Sequence, residues 1–332
     1  MAISEKSNQG LMKAIKRMHT LVESDDLERV RASQENISAL LKHRELNYEP
    51  FQVGEIPSEW VSVKRSHMRK FVIFYCHGGG YNTGSFHYAR SITNKLSSTT
   101  SMDVLSFDYR LAPEHPYPSA TEDAMAVWDY LMHLGYGARD VIVAGDSAGG
   151  NLALSLVLKL KEQKRILPRG LILFSPWTDL TGSGKSYETK VDVDPILNRE
   201  YLDNAIAAYA SGQDLKNPLI SPLFGNFTGF PPTYIQVGSN ELLLSDSLLL
   251  KKNLEKYHVP VRLEEYKGMW HVFQMSPFKT AYDAMDQVAE FIFDICRSYH
   301  RTRAISCPIQ AVWQKCMRKQ ILRLIFDSVS VV

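Results

Sequence analysis

The chain has 332 residues, few cysteines and little net charge, and it lacks a long apolar run. Its four cysteines form no C-x-x-C pair and no metal-ligand spacing with histidine, which favours reduced thiols. A formal net charge of +2 argues against a general nucleic-acid-binding surface. No stretch approaches about 18 consecutive apolar residues, so no membrane-spanning helix is predicted. Because the first residues also lack the apolar core of a signal peptide, we expect a cytoplasmic protein.

Hydrophobic periodicity divides the chain into parts. Residues 1–50 are mostly polar with apolar residues at helical spacing, which predicts N-terminal cap helices. Over 51–296, short apolar runs alternate with helix-like segments, and this alternation predicts an α/β fold with a mostly parallel sheet and helices on both faces. The alternation lapses at about 181–230, where we expect a cap insertion above the sheet.

Residues 297–332 form a basic C-terminal extension with seven Lys or Arg residues and one acid. Over 308–326, apolar residues at helical spacing lie beside basic ones, a pattern typical of helices that bind an anionic membrane surface. A helix docked on its own domain, or a disordered tail, is the alternative. We keep peripheral membrane contact as a hypothesis, and the sequence leaves a homo-oligomer open.

The most informative motif is Gly145-Asp146-Ser147-Ala148-Gly149, which follows an apolar run and precedes a helix-like segment. A strand, a sharp turn with a serine and a helix together form the context of a nucleophile elbow. Small residues permit a tight turn that exposes the serine hydroxyl. An ordinary glycine-rich turn is the alternative.

A serine hydroxyl becomes a good nucleophile only when a base takes its proton and a carboxylate orients that base. When the serine lies on such an elbow, the acid and the histidine follow it in the chain. His271 lies in a loop after the strand-like run 261–266, and Glu241 and Asp246 both follow the run 234–237. Glu241 could instead be a simple helix N-terminal acid, so the residues alone leave the choice between the two carboxylates open.

A glycine-rich segment, His77-Gly78-Gly79-Gly80, follows the apolar run 71–76. Glycines allow the backbone to approach a ligand and to direct its N–H groups at a developing oxyanion. The N–H of Ala148 would be a further donor. A phosphate-binding loop is disfavoured because no Gly-Lys-Ser/Thr follows, and His77 is interpreted as a residue that shapes the loop.

Together these segments resemble the motifs of the hormone-sensitive-lipase-like esterases. The resemblance covers roughly 60–295 and is carried by 77–80, 108–118 and 145–151, with further similarity in 174–181 and 217–223. It implies an α/β-hydrolase fold without a metal or cofactor. It also implies roles for individual residues: Ser147 as nucleophile, His271 as base, Gly79, Gly80 and Ala148 as oxyanion donors, and His77, Gly78, Gly145, Asp146 and Gly149 as structural members of the motifs.

The family's acid lies in a G-x-x-D-P-L-x-D pattern. Aligned on Gly238, this pattern has Asp where the chain has Glu241 and Pro where it has Leu242. The chain therefore departs by one methylene but keeps a carboxylate. We favour Glu241 as the acid, with Asp246 as the alternative.

The predicted function is that of a serine carboxylesterase, lipase-like, which cleaves short- to medium-chain carboxylic esters of small molecules through an acyl-enzyme. A lactone or aryl-amide hydrolase with the same triad is one alternative, since the chemistry is the same acyl transfer. A non-catalytic ligand receptor is another, because the plant gibberellin receptors resemble this family but lack the catalytic histidine. The presence of His271 disfavours the receptor.

Overall fold

A computed structural model of the protein describes residues 26–38, 41–67 and 70–306. The described residues up to Ala289 belong to one compact unit, and those from Glu290 belong to a second. The part of the predicted cap before residue 26 and the predicted amphipathic helix at 308–326 lie outside the described residues. Within the described ranges, no helix is both long and apolar enough to cross a membrane.

The described residues form an eight-stranded sheet with the order β1-β2-β4-β3-β5-β6-β7-β8. The strands are β1 Leu46–Val53, β2 Ile56–Val63, β3 Val72–Cys76, β4 Asp103–Phe107, β5 Val141–Asp146, β6 Gly170–Phe174, β7 Thr233–Gly238 and β8 Val261–Tyr266. β2 pairs antiparallel with β1 and β4, and all other neighbours are parallel. The prediction of a mostly parallel α/β sheet is confirmed.

Buried strands explain why this sheet could be read from the sequence. Every residue of β3, β4, β5, β6 and β7 is buried, so these strands appear as continuous apolar runs. β1 begins at Leu46, inside the segment 1–50 that was predicted to form cap helices. It is an edge strand of mixed burial, joined to β2 by a turn at Gly54 (φ 61°), and it carries no comparable apolar run.

Helices connect most of the strands and supply the cap. They are α1 Leu27–Ser38, α2 Phe86–Thr100, α3 Ser119–His133, α4 Ala148–Glu162, α5 Ser186–Thr189, α6 Arg199–Ala210, α7 Leu244–Lys256 and α8 Lys279–Ser306. Short 3₁₀ turns lie at Ala138–Asp140, Pro222–Phe224 and Phe273–Met275. The segment predicted to be a cap insertion contains α6, which begins after Asn198, whose side chain accepts the N–H of Tyr201.

The order of the strands brings the predicted site together. Loops that leave the carboxyl ends of β3, β5, β7 and β8 carry His77, Ser147, Glu241 and His271, respectively. The carboxyl ends of parallel strands meet at one edge of a sheet, where α/β proteins bind their ligands. Residues far apart in sequence therefore share one edge.

Candidate active site

The turn between β5 and α4 places Ser147 in a strained conformation, with φ 53° and ψ −120°. The residues two positions before and after it, Gly145 and Gly149, must be glycine because the strand and the helix cross closely. A Cβ on Gly145 would lie 2.3 Å from the carbonyl oxygen of Gly149, and one on Gly149 would lie 2.1 Å from that of Cys76. The geometry is that of a nucleophile elbow.

Three side chains from separate loops make a continuous line of contacts at this edge. Nε2 of His271 lies 2.9 Å from Oγ of Ser147, and Nδ1 lies 2.7 Å from Oε2 of Glu241. Ser147 and His271 are 9% and 7% exposed, and Glu241 is fully buried. A hydroxyl, an imidazole and a carboxylate in this arrangement can transfer a proton from the hydroxyl to the imidazole.

The second carboxylate oxygen of Glu241, Oε1, also accepts hydrogen bonds. Oε1 accepts the hydroxyl of Ser175 at 2.9 Å and the N–H of Gly238 at 2.5 Å. The same Ser175 hydroxyl accepts the N–H of Val272 at 3.1 Å. Ser175 thus links the loop of Glu241 to that of His271. The segment 174–181 shares the similarity to the esterase family, but its sequence alone predicts no role for Ser175.

Asp246, the other carboxylate left open by the sequence, has different partners. Its Oδ2 accepts the backbone N–H groups of Thr178 at 2.7 Å and Asp179 at 2.9 Å. Burial raises the pKa of Asp246 to about 8 against the effect of these hydrogen bonds. The structure therefore brings Glu241 to His271 and Asp246 to the backbone that follows β6.

The charge state of His271 reflects two opposed effects. Burial lowers its pKa, and the hydrogen bond and charge of Glu241 raise it. The pKa of His271 ends above the ordinary value of 6.5. A histidine held in this way is a stronger base than a free imidazole, and its protonated form is stabilised.

Asp146 connects the elbow to the glycine-rich loop. Its Oδ1 accepts the N–H of Gly78 at 2.9 Å and the hydroxyl of Tyr75 at 2.6 Å. A Cβ on Gly78 would lie 2.2 Å from Oδ2 of Asp146, so this position must be glycine. Burial raises the pKa of Asp146 to about 6, although both hydrogen bonds favour the ionised form.

The N–H groups predicted to bind an oxyanion belong to the glycine-rich loop after β3 and to the residue directly after Ser147. Gly79 and Gly80 have φ values of 110° and 62°, which favour glycine. Among the residues that the structure describes, no protein acceptor takes the N–H of Gly79, Gly80 or Ala148. The carbonyl of Gly79 accepts the N–H of Thr83 at 2.9 Å, which fixes the loop.

His77 lies at the base of this loop and is fully buried. Its Nδ1 hydrogen-bonds to the carbonyl of Gly78 at 2.8 Å, so Nδ1 carries the proton. The ring stacks on Tyr109 with centroids 4.1 Å apart. Burial lowers the pKa of His77 to about 4, so the ring stays neutral at neutral pH. Its contacts with Gly78 and Tyr109 are those of a residue that shapes the loop.

The described part of the chain has no group of three or more His, Cys, Asp or Glu side chains arranged to hold a metal ion. A serine, an imidazole and a carboxylate in this arrangement are the side chains that acyl transfer by a protein nucleophile requires. A mostly parallel sheet with a serine on such an elbow, followed in the chain by an acid and a histidine, defines an α/β-hydrolase.

Comparisons with known proteins agree. The family described as alpha/beta hydrolase fold matches residues 73–275. An esterase of Acinetobacter venetianus is 39% identical over 246 residues, 73% of this chain and 80% of that protein. An acetyl-hydrolase of Streptomyces hygroscopicus is 37% identical over 67% of this chain and 73% of its own length. A solved structure of a hormone-sensitive lipase from a metagenome library superposes with a TM-score of 0.83 at 32% identity, covering 87% and 98% of the two chains. The chain belongs to the hormone-sensitive-lipase-like α/β-hydrolases, a family of carboxylic ester hydrolases.

Proposed function

We propose that this protein is a serine carboxylesterase that cleaves short- to medium-chain carboxylic esters of small molecules through an acyl-enzyme. One observation carries the proposal: Oγ of Ser147 lies 2.9 Å from Nε2 of His271, whose Nδ1 lies 2.7 Å from the buried carboxylate of Glu241. The acetyl-hydrolase relative supports short acyl groups.

In the first half of the reaction, Oγ of Ser147 attacks the ester carbonyl while Nε2 of His271 takes its proton. The carboxylate of Glu241 stabilises the imidazolium that results. The N–H groups of Gly79, Gly80 and Ala148 donate to the oxyanion of the tetrahedral intermediate. His271 then protonates the leaving alcohol, and the acyl group remains on Ser147.

The second half uses the same groups with water. His271 takes a proton from the water molecule that attacks the acyl carbonyl, and it returns that proton to Oγ of Ser147 as the carboxylic acid leaves. The three N–H groups again hold the oxyanion. Each half transfers one proton to the imidazole and one away from it, so the enzyme is regenerated.

Replacing Ser147 with Ala tests the proposal. We expect hydrolysis of p-nitrophenyl butyrate to fall by at least about 10³-fold, because the nucleophile is lost. Ser106→Ala is a control serine substitution: Ser106 is fully buried, and within the described residues its hydroxyl has no hydrogen-bond partner. That control should keep its activity. Turnover by a folded Ser147→Ala protein at more than a tenth of the wild-type rate would refute the mechanism.

Lactone and aryl-amide hydrolysis remain alternatives because the same triad serves any of these leaving groups. A panel of esters, lactones and aryl amides, with acyl length varied from acetyl to decanoyl, distinguishes them. We expect the highest kcat/KM on short- or medium-chain esters. Binding of a ligand without turnover of any member of the panel would favour the receptor instead.

A further inference from the structure

A buried carboxylate of the cap, Asp194, contacts the loop that carries Glu241. It lies between α5 and α6, and its Oδ1 accepts the N–H groups of Ile196 at 2.8 Å and Leu197 at 2.9 Å. Its Oδ2 accepts the N–H of Leu242 at 2.8 Å. One side chain therefore joins the turn that precedes α6 to the residue directly after Glu241.

The bond to Leu242 depends on a departure from the related family's pattern. Proline stands there in that pattern, and proline has no backbone N–H to donate. The adjacent residue departs as well, since Glu241 stands where the pattern has Asp. The longer side chain has one more rotatable bond and so more freedom to lose. The hydrogen bond that fixes the backbone at Leu242 thus lies next to Glu241, whose side chain has the additional rotatable bond.

The local turn explains why position 242 can hold either leucine, as here, or proline, as in the family's pattern. The N–H of Leu244 donates to the carbonyl of Glu241 at 3.3 Å, which makes Leu242 the second residue of a four-residue turn. Proline is favoured at that position of a turn. Leu242→Pro would therefore remove the donor to Asp194 without opposing the turn.

We propose that Asp194 is a positioning residue, which fixes the backbone at Leu242 and so keeps the longer side chain of Glu241 on His271. Asp194 matters in this way only if Glu241 supports His271 in catalysis, so the inference rests on the proposed function. The cap then contributes to the alignment of the triad, through a contact that a proline-containing relative could not make.

The charges around His271 are consistent with this role. Burial lowers the pKa of His271, and the hydrogen bond and charge of Glu241, together with the charges of Asp194 and Asp146, raise it. Burial raises the pKa of Asp194 itself to about 6, which the charge of His271 and three backbone hydrogen bonds oppose. Removing the charge of Asp194 should therefore move the acid limb of the pH profile to lower pH.

The test is a double-mutant cycle of Asp194→Asn and Leu242→Pro, with kcat, KM and the pH profile measured on p-nitrophenyl butyrate. Asp194→Asn loses the charge and one of the two acceptor oxygens. Because two N–H groups hold the Oδ1 position, the amide oxygen stays there and the NH₂ group faces the N–H of Leu242, so the bond to Leu242 is lost. We expect kcat to fall about tenfold with KM little changed. Leu242→Pro removes the donor and should lower kcat similarly. The double variant should lose less than the product of the two effects, because both remove one bond.

Asp179→Asn is the matched control. Asp179 is equally buried, and its carboxylate accepts the N–H groups of Thr181 at 2.9 Å and Ser183 at 3.2 Å. This variant should lose thermal stability but keep its acid limb and its kcat. If Asp194→Asn fails to fold, Leu242→Pro decides by comparison with Leu242→Ala, which also loses the fully buried leucine side chain but keeps the N–H donor.

Two results would overturn the inference: an unchanged kcat in both variants, or a cycle whose effects multiply and whose acid limb stays in place. Ser147→Ala separates this failure from that of the proposed function. Activity that survives Ser147→Ala refutes the proposed function. An inactive Ser147→Ala beside fully active Asp194→Asn and Leu242→Pro refutes only the positioning role.

Discussion

Replacing Glu241 with glutamine is the sharpest perturbation of this site, because the amide has nearly the shape of the carboxylate. Oε1 accepts from Ser175 at 2.9 Å and Gly238 at 2.5 Å, so the amide oxygen must take that position. The NH₂ group then faces Nδ1 of His271, where Oε2 now lies at 2.7 Å. Nδ1 must accept, Nε2 carries the proton, and the imidazole can no longer take a proton from Ser147.

The lost charge sets the magnitude. With charge centres about 4 Å apart and an effective dielectric constant of about 20, the attraction between carboxylate and imidazolium is about 4 kcal/mol. One decade of rate corresponds to about 1.4 kcal/mol. We therefore expect Glu241→Gln to lower kcat by about 10³-fold, and the wrong tautomer adds to that loss.

The assay is steady-state hydrolysis of p-nitrophenyl butyrate above the acid limb, with urea unfolding to check that the variant folds. Glu241→Asp is the companion variant, since it keeps the charge and shortens the side chain by one methylene. It should retain more activity than the glutamine variant. A folded Glu241→Gln protein within tenfold of the wild-type kcat would show that this carboxylate does not support His271.

The remaining predictions concern pH, packing and the oxyanion loop. The pKa of His271 lies above its ordinary value of 6.5, and only the neutral imidazole acts as the base. The value of kcat/KM should therefore fall as the pH drops through that raised pKa. An acid limb below pH 6.5 would contradict this. Gly149→Ala should destabilise the protein by about 3 kcal/mol or more in urea unfolding, because its Cβ would lie 2.1 Å from the carbonyl oxygen of Cys76; unchanged stability would contradict the close crossing. Gly80→Ala should lower kcat about 10²-fold, since φ is 62° and the Cβ would lie 2.6 Å from the hydroxyl of Tyr201; a kcat unchanged in the folded variant would remove that loop from the oxyanion site.

Much of the sheet could be predicted from the sequence for one physical reason. Strands covered on both faces need mostly apolar side chains, so β3, β4, β5, β6 and β7 stand out as short apolar runs. The hairpin of β1 and β2 could not be found in this way. β1 is an edge strand with partly exposed residues, and its pattern resembles that of an ordinary polar segment.

The residues of the site also differ in how far the local sequence predicts them. Ser147 and His271 lie in short local motifs, so their neighbours in sequence predict their surroundings. Two carboxylates five positions apart after β7 offered no such distinction, and only the fold separates Glu241, which precedes α7, from Asp246, which lies in its first turn. No sequence pattern predicts the contacts of Ser175 with Val272 and of Asp194 with Leu242, because these hydrogen bonds span 97 and 48 residues of sequence.

Mass-spectrometric peptide mapping after reaction with a p-nitrophenyl alkylphosphonate tests the central claim most directly, because the reagent bonds to an activated serine and stays there. The account predicts one phosphonyl group per chain, located on Ser147, and activity lost in proportion to labelling. His271→Ala should label far more slowly, since the hydroxyl then has no base. Inactivation with the label on another residue, or full labelling that leaves activity intact, would contradict the account.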